Sequence, residues 1–212
     1  MPDDYENSDD LINTQPIGGR CMGNMIEIRW HGRGGQGTVT AAKMLADASL
    51  QGGTYVQASP EYGAERMGAP LRAFNRISDE EIFLHCSITN PDIVVVVDPS
   101  LIKQSAVVEG ITSSTIFVVN SPLSSQEVRK FLQFNEGKVY TVNATKIALE
   151  TLGRNIPNTP MLGALVKATG ILAKASLLDE IKKGLEKKFG ATIVQKNVDA
   201  IERAFEEVQG DE

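Results

Sequence analysis

The sequence predicts an α/β protein: a doubly wound, mostly parallel sheet with helices on both faces and a helical C-terminal tail. Three observations carry this expectation. Short unbroken runs rich in β-branched residues occur at 92–97 (DIVVVV) and 115–120 (TIFVVN), the pattern of strands covered on both faces by helices. Strand-like and helix-like segments alternate from residue 25 to residue 152, the order that builds a sheet through crossover helices. From Pro160 onward only helical apolar spacing remains.

Each element follows in turn. Residues 1–24 are rich in Asp, Asn, Gly and Pro without periodicity and read as an N-terminal arm, mobile or bound to a partner. A single domain is expected over 25–212. Its first strand is 25–30, and a helix follows with Val39, Ala42, Leu45, Ala46 and Leu50 at helical spacing, ended by Gly52-Gly53. A short strand at 54–58 leads into an irregular polar piece, SPEYGAERMGAP, and then a strand at 71–77 whose loose alternation suits an antiparallel or edge position. The two β-branched runs take the centre of the sheet. Helices are expected after them at 101–109 and 124–134, the second opened by Ser124 as cap with Glu127 three residues on. A strand at 138–142, a helix at 144–152, helices at 161–172 and 177–189 and a last stripe of Val198, Ile201, Phe205 and Val208 complete the chain.

Composition excludes several function classes. With 27 acidic against 21 basic residues the net charge is -6, and no Lys/Arg run marks a nucleic-acid footprint. The apolar runs 93–97 and 116–119 fall far short of the roughly 20 residues of a membrane helix. The first ten residues, MPDDYENSDD, are acidic and lead into no apolar signal segment, so a cytoplasmic protein is expected. Cys21 and Cys86 are the only cysteines, too few and too far apart for a cluster or a structural zinc, and they read as two free thiols. No metal site is expected in this chain.

The chemistry centres on His31-Gly32-Arg33-Gly34-Gly35-Gln36-Gly37-Thr38, where glycine fills four of the six positions from 32 to 37. The run satisfies G-x-G-x-x-G and lies between a strand and a helix, the context in which backbone N–H groups and the helix dipole face an anion such as a diphosphate. The acidic residue that would bind a nicotinamide ribose is missing, because the second strand ends in Val56-Gln57-Ala58-Ser59. An ATP loop would need Lys where Thr38 stands. The same glycines also serve close packing of helix on sheet, and spacing alone leaves both readings open. Arg66, between Gly63 and Gly68, can grip a carboxylate or phosphate with its fork of donors, or simply pair within the loop. His31 and His85 have no nucleophile or carboxylate companion at motif spacing, and Asp98, at the end of a central strand, reads first as a helix cap. No residue is assigned a catalytic role.

Three ordered blocks, RWHGRGGQGTVTAAKMLA, SPEYGAERMGAPLRAFNRIS and NTPMLGALVKATG, resemble the gamma subunit of the 2-oxoacid:ferredoxin oxidoreductases, the family that includes pyruvate synthase. The likeness runs from about residue 25 to residue 208. It implies a part in coenzyme A-dependent oxidative decarboxylation: a 2-oxoacid and CoA give acyl-CoA, carbon dioxide and two electrons for ferredoxin. It further implies alpha, beta and delta partner subunits, with thiamine diphosphate, magnesium and iron–sulfur clusters held by those partners. On the same analogy Gly32, Arg33, Gly34, Gly35, Gln36, Gly37 and Thr38 cradle CoA phosphates, with Arg66 as charge partner. The acidic arm and the lack of a C-x-x-C segment depart from the family pattern. Two other readings compete, a stand-alone nucleotide-binding dehydrogenase and a purely architectural subunit.

Overall fold

The computed structural model describes residues 25–61 and 68–210. A seven-stranded mixed sheet organises them, in the order β2-β3-β1-β4-β5-β6-β7. β1 (Ile26–Arg33), β4 (Ile93–Val96), β5 (Ile116–Asn120) and β6 (Lys138–Val142) run parallel as its centre. β3 (Pro70–Ser78) lies antiparallel against β1, β2 (Tyr55–Glu61) antiparallel against β3, and β7 (Gln209–Gly210) closes the far edge antiparallel to β6.

Both faces of the centre are covered. On one, Ile28 and Trp30 of β1, Val95 of β4 and Val118 of β5 meet α1 (Thr38–Gln51), α4 (Ala144–Leu152), α5 (Asn158–Thr169), α6 (Lys174–Glu186) and α7 (Ala191–Glu207) in one continuous core. On the other, Val94, Val96, Phe117 and Val119 meet Leu101, Val128 and Leu132. All four residues of β4 and all five of β5 are buried, which is why their sequences show no alternation. α5 is buried along most of its length beneath α7, and a Cβ at Gly163 would stand only 2.3 Å from the Ile201 carbonyl oxygen. Glycine there lets the two helices meet backbone to backbone.

The parallel centre, the helices on both faces and the helical tail agree with expectation; several local features do not. β1 runs on to Arg33, so Gly32 and Arg33 are strand residues paired with Leu71 and Pro70. β2 takes in Ser59, Pro60 and Glu61; its register on β3 is set by pairs such as Ser59–Phe74, and Pro60 is tolerated on an outer strand. The antiparallel reading of 71–77 holds, but β2 and not β3 forms the edge. In place of one helix over 101–109 there is a 3-10 turn at Pro99–Leu101 and a four-residue α2 (Ser105–Val108). Ser124 does close a capping box with Glu127 at the start of α3 (Ser125–Leu132). The proposed arm 1–24, with Cys21, and Arg66 lie outside the described residues.

The face of β1 and β3 turned away from α1 is polar. Arg29 is 1% exposed, yet its donors reach the His31 Nε2 atom at 3.0 Å and the carbonyls of Val107 and Glu109 at 3.2 and 2.6 Å. Arg76 pairs with Glu27 at 2.8 Å and donates to the Cys86 carbonyl at 2.8 Å. Two buried guanidinium groups thus tie the sheet to the irregular segments that cross it.

Candidate functional site: the glycine loop at the carboxyl edge of the sheet

The carboxyl ends of β1, β4 and β5 lie side by side, the edge where ligands gather in α/β sheets. The chain leaves β1 through a tight turn: the Gln36 N–H donates to the Arg33 carbonyl at 3.2 Å and the Arg33 N–H to the Gln36 Oε1 atom at 2.9 Å. Gly35 takes φ 95° and Gly37 φ 77°, conformations that glycine adopts without the Cβ clash of other residues.

Close approach accounts for two more features. A Cβ at Gly32 would fall 2.0 Å from the Thr38 Oγ1 atom, and one at Gly37 2.7 Å from Asn158 Nδ2. The loop is therefore pressed between its own helix and the start of α5. It is also tied to the residues that lead into β3, with the Gly34 N–H donating to the Ala69 carbonyl at 3.1 Å and the Gly68 N–H to the Gly34 carbonyl at 3.3 Å.

Arg33 and Gln36 act as braces. The Arg33 guanidinium donates to the Ser100 hydroxyl at 3.0 and 3.2 Å and to the Gly68 carbonyl at 3.1 Å, and it lies 3.5 Å from the Asp98 carboxylate. Gln36 donates its amide N–H to the same carboxylate oxygen that faces Arg33, Asp98 Oδ2. Asp98 also caps the 3-10 turn through the Ser100 N–H at 2.8 Å. Burial pushes its carboxyl upward, but hydrogen bonds from the side chain and N–H of Ser100 and from Gln36, with the Arg33 charge, outweigh that and hold it below the ordinary carboxylate value.

What the braced loop presents is the uncapped start of α1. Gly37 has no side chain to offer as cap, and the first backward bond runs from the Ala41 N–H to the Gly37 carbonyl at 2.9 Å. The N–H groups of Thr38, Val39 and Thr40 have no acceptor within the helix, and no acidic residue occupies its first turn. Such an end favours an anion. The Thr38 hydroxyl is buried without a partner among the described residues, at a cost comparable to a lost hydrogen bond.

The other sequence candidates fall elsewhere. His31 points to the polar back of the sheet, where burial, then Arg29 and Arg72, lower its pKa to about 3, so it is a neutral acceptor. His85 and Cys86 line a cleft of about 190 Å³ with Gln57, Glu61 and Arg76 on β2 and β3. Among the described residues no group of three His, Cys, Asp or Glu side chains could hold a metal, and no helix is long and apolar enough to cross a membrane. The sequence places Asp98 at the ligand-gathering edge and first as a cap, which it is, but shows neither its contacts to Arg33 and Gln36 nor the parts of Ser100 and Asn158. Asn158 does stand at the head of the NTPMLGALVKATG block, but placing the helix start at 161 hid it.

Comparison with known proteins identifies the family and bears out the fold. Residues 27–207 match the family described as pyruvate ferredoxin/flavodoxin oxidoreductase. The pyruvate synthase subunit PorC of Thermotoga maritima is 51% identical over 87% of this chain and 95% of its own. The pyruvate/ketoisovalerate oxidoreductases common subunit gamma of Thermococcus kodakarensis is 47% identical over 85% of this chain and 96% of its own. The crystal structure of the Thermotoga maritima pyruvate oxidoreductase subunit PORC superposes with a TM-score of 0.80 at 48% identity, covering 89% of this chain and 99% of that one. The chain belongs to the pyruvate ferredoxin/flavodoxin oxidoreductase family, among its gamma-type subunits.

Proposed function

We propose that this chain serves a cytoplasmic complex with alpha, beta and delta subunits that converts a 2-oxoacid such as pyruvate and CoA into acyl-CoA, carbon dioxide and reduced ferredoxin. Its own share is structural contact and part of the CoA site. Residues 25–212 act as one domain and 1–24 as an accessory arm. Thiamine diphosphate, with magnesium, supplies the carbanion chemistry and iron–sulfur clusters carry the electrons, all held by the partner subunits.

The observation that supports this reading is the uncapped start of α1 on a loop fixed by Arg33, Gln36 and Asp98. A diphosphate matches the free N–H groups of that helix start, and Glu61, the acidic residue that ends β2, is paired with Arg72 at 2.9 Å on the outermost strand, with β3 between it and β1. Gly32, Gly34, Gly35, Gly37 and Thr38 form the cradle in this account, Arg33 and Gln36 hold its shape, and Arg66 supplies charge. The test is hydrogen exchange on the assembled enzyme with and without CoA. Protection of residues 34–41 is expected; a loop that exchanges equally in both states leaves only the architectural role. The Arg33→Ala enzyme should show a KM for CoA raised severalfold with kcat largely retained, and an unchanged KM removes Arg33 from the site.

A further inference from the structure

β2 ends the strand order, and no described residue pairs with its outer side. Which of its backbone groups face outward follows from the inner strands. The His31 carbonyl accepts from the Val97 N–H at 2.7 Å and the Glu27 carbonyl from the Asp92 N–H at 2.9 Å, so the odd residues of β1 face β4 and the even ones face β3. Trp30 lies opposite Ala73, so Ala73 turns its backbone to β1, and its other neighbour, Pro60, turns its own outward. Alternation carries this to Ala58 and Val56. The N–H groups of Val56 and Ala58 and the carbonyls of Val56, Ala58 and Pro60 therefore line an open edge, and the N–H that Pro60 lacks costs the β2–β3 ladder nothing.

The strand is complementary to itself. Laid antiparallel on a second copy about a twofold axis at Ala58, it sets Val56 against Pro60, Gln57 against Ser59 and Tyr55 against Glu61. Side chains alternate between faces, so Val56, Ala58 and Pro60 meet only apolar groups on the face where Val56 packs on the α1 core, and the polar residues meet one another on the opposite face. All four outward N–H groups find carbonyls: Ala58 donates to Ala58 of the second copy, and Val56 to its Pro60. No like charges oppose. The one charged side chain, Glu61, is paired with Arg72 at 2.9 Å and comes opposite Tyr55, whose hydroxyl can donate to it. Lysines and bulges usually blunt such an edge, yet β2 has neither, and its register on β3 is unbroken from Tyr55 to Glu61. Phe83 and Leu84, 74% and 45% exposed, add apolar surface beside it, held near by the Gln57 amide, which donates to the Ile82 carbonyl at 3.3 Å.

We infer that β2 is a self-association edge: two copies of this chain join through antiparallel β2 strands about a twofold axis at Ala58, making one sheet continuous through both. The pairing is independent of what the glycine loop binds. In the single chain β2 is an edge that opens early; in the pair it becomes an inner strand.

Sedimentation equilibrium of the full chain should give twice the mass of one copy at micromolar concentration, falling toward a single copy on dilution. Ala58 is exposed, so Ala58→Asp and Ala58→Lys leave the fold intact while each sets like charges opposite one another. Each alone should weaken association severalfold, and an equimolar mixture should recover it, because a twofold at position 58 then places Asp against Lys. Ala58→Pro removes one outward N–H, leaves the ladder to β3 whole and should abolish the pair. A readout that needs no variant is amide exchange at Val56 and Ala58, which should slow with rising protein concentration in step with the dimer fraction. A single copy at every concentration overturns the inference, as does a dimer that the three variants leave unchanged or a loss that mixing does not restore. Slow exchange at Val56 and Ala58 only in the assembled enzyme, with the isolated chain single, also overturns it and gives the edge to a strand of another subunit.

Discussion

Single residues of the glycine loop carry opposite stability signs. Gly37→Ala forces a side chain into φ 77° and against Asn158, and should cost about 1–3 kcal/mol in denaturant unfolding. Thr38→Val replaces a buried hydroxyl that has no partner among the described residues with a methyl of the same shape, and should stabilise the chain by about 1 kcal/mol. His31 makes a pH prediction. Its folded pKa of about 3 lies below the ordinary value of 6.5, so between those values the unfolded chain binds the extra proton. Stability is full above pH 6.5 and falls as pH drops toward 3, by up to about 1.4 kcal/mol per unit. The His31→Gln variant should show a shallower acid slope in the same titration of unfolding free energy. The motif's existence was legible in the sequence because four glycines so close together need a backbone reason. Its bracing was not, since Asp98 and Ser100 reach Arg33 across more than sixty residues of chain, and no local period records such a contact.

At the scale of elements, burial decides both what could be read and what is stable. β4 and β5 were legible because covering both faces demands unbroken apolar runs. The length of β2 was not, because its side chains are mostly exposed and its pairing is dictated by β3. The short α2 misled for the converse reason. Val107 and Val108 supply an apolar pattern, but the carbonyls at its end bind the Arg29 guanidinium instead of continuing a helix. Native-state hydrogen exchange should accordingly find β4 and β5 the last to open and β2 and β7 the first. Arg29→Met removes the donors that hold the Val107 and Glu109 carbonyls, so the same experiment should show 105–110 exchanging much faster, with β5 little changed.

For the whole molecule, the glycine loop and the uncapped start of α1 stand at the carboxyl edge of the sheet. An anion held at that helix start is what the function proposed above requires of this chain. The family likeness spans 27–207, so it includes the sheet up to β6, the loop and the helical tail and leaves out β7 and the acidic arm. The account therefore stands on association. Native mass spectrometry of the tagged chain, purified anaerobically from its own host, tests this most directly. The account predicts larger thiamine-binding and cluster-bearing chains in fixed ratio with it. A chain that runs alone and binds a nucleotide would contradict it, and the glycine loop would then belong to a self-sufficient enzyme.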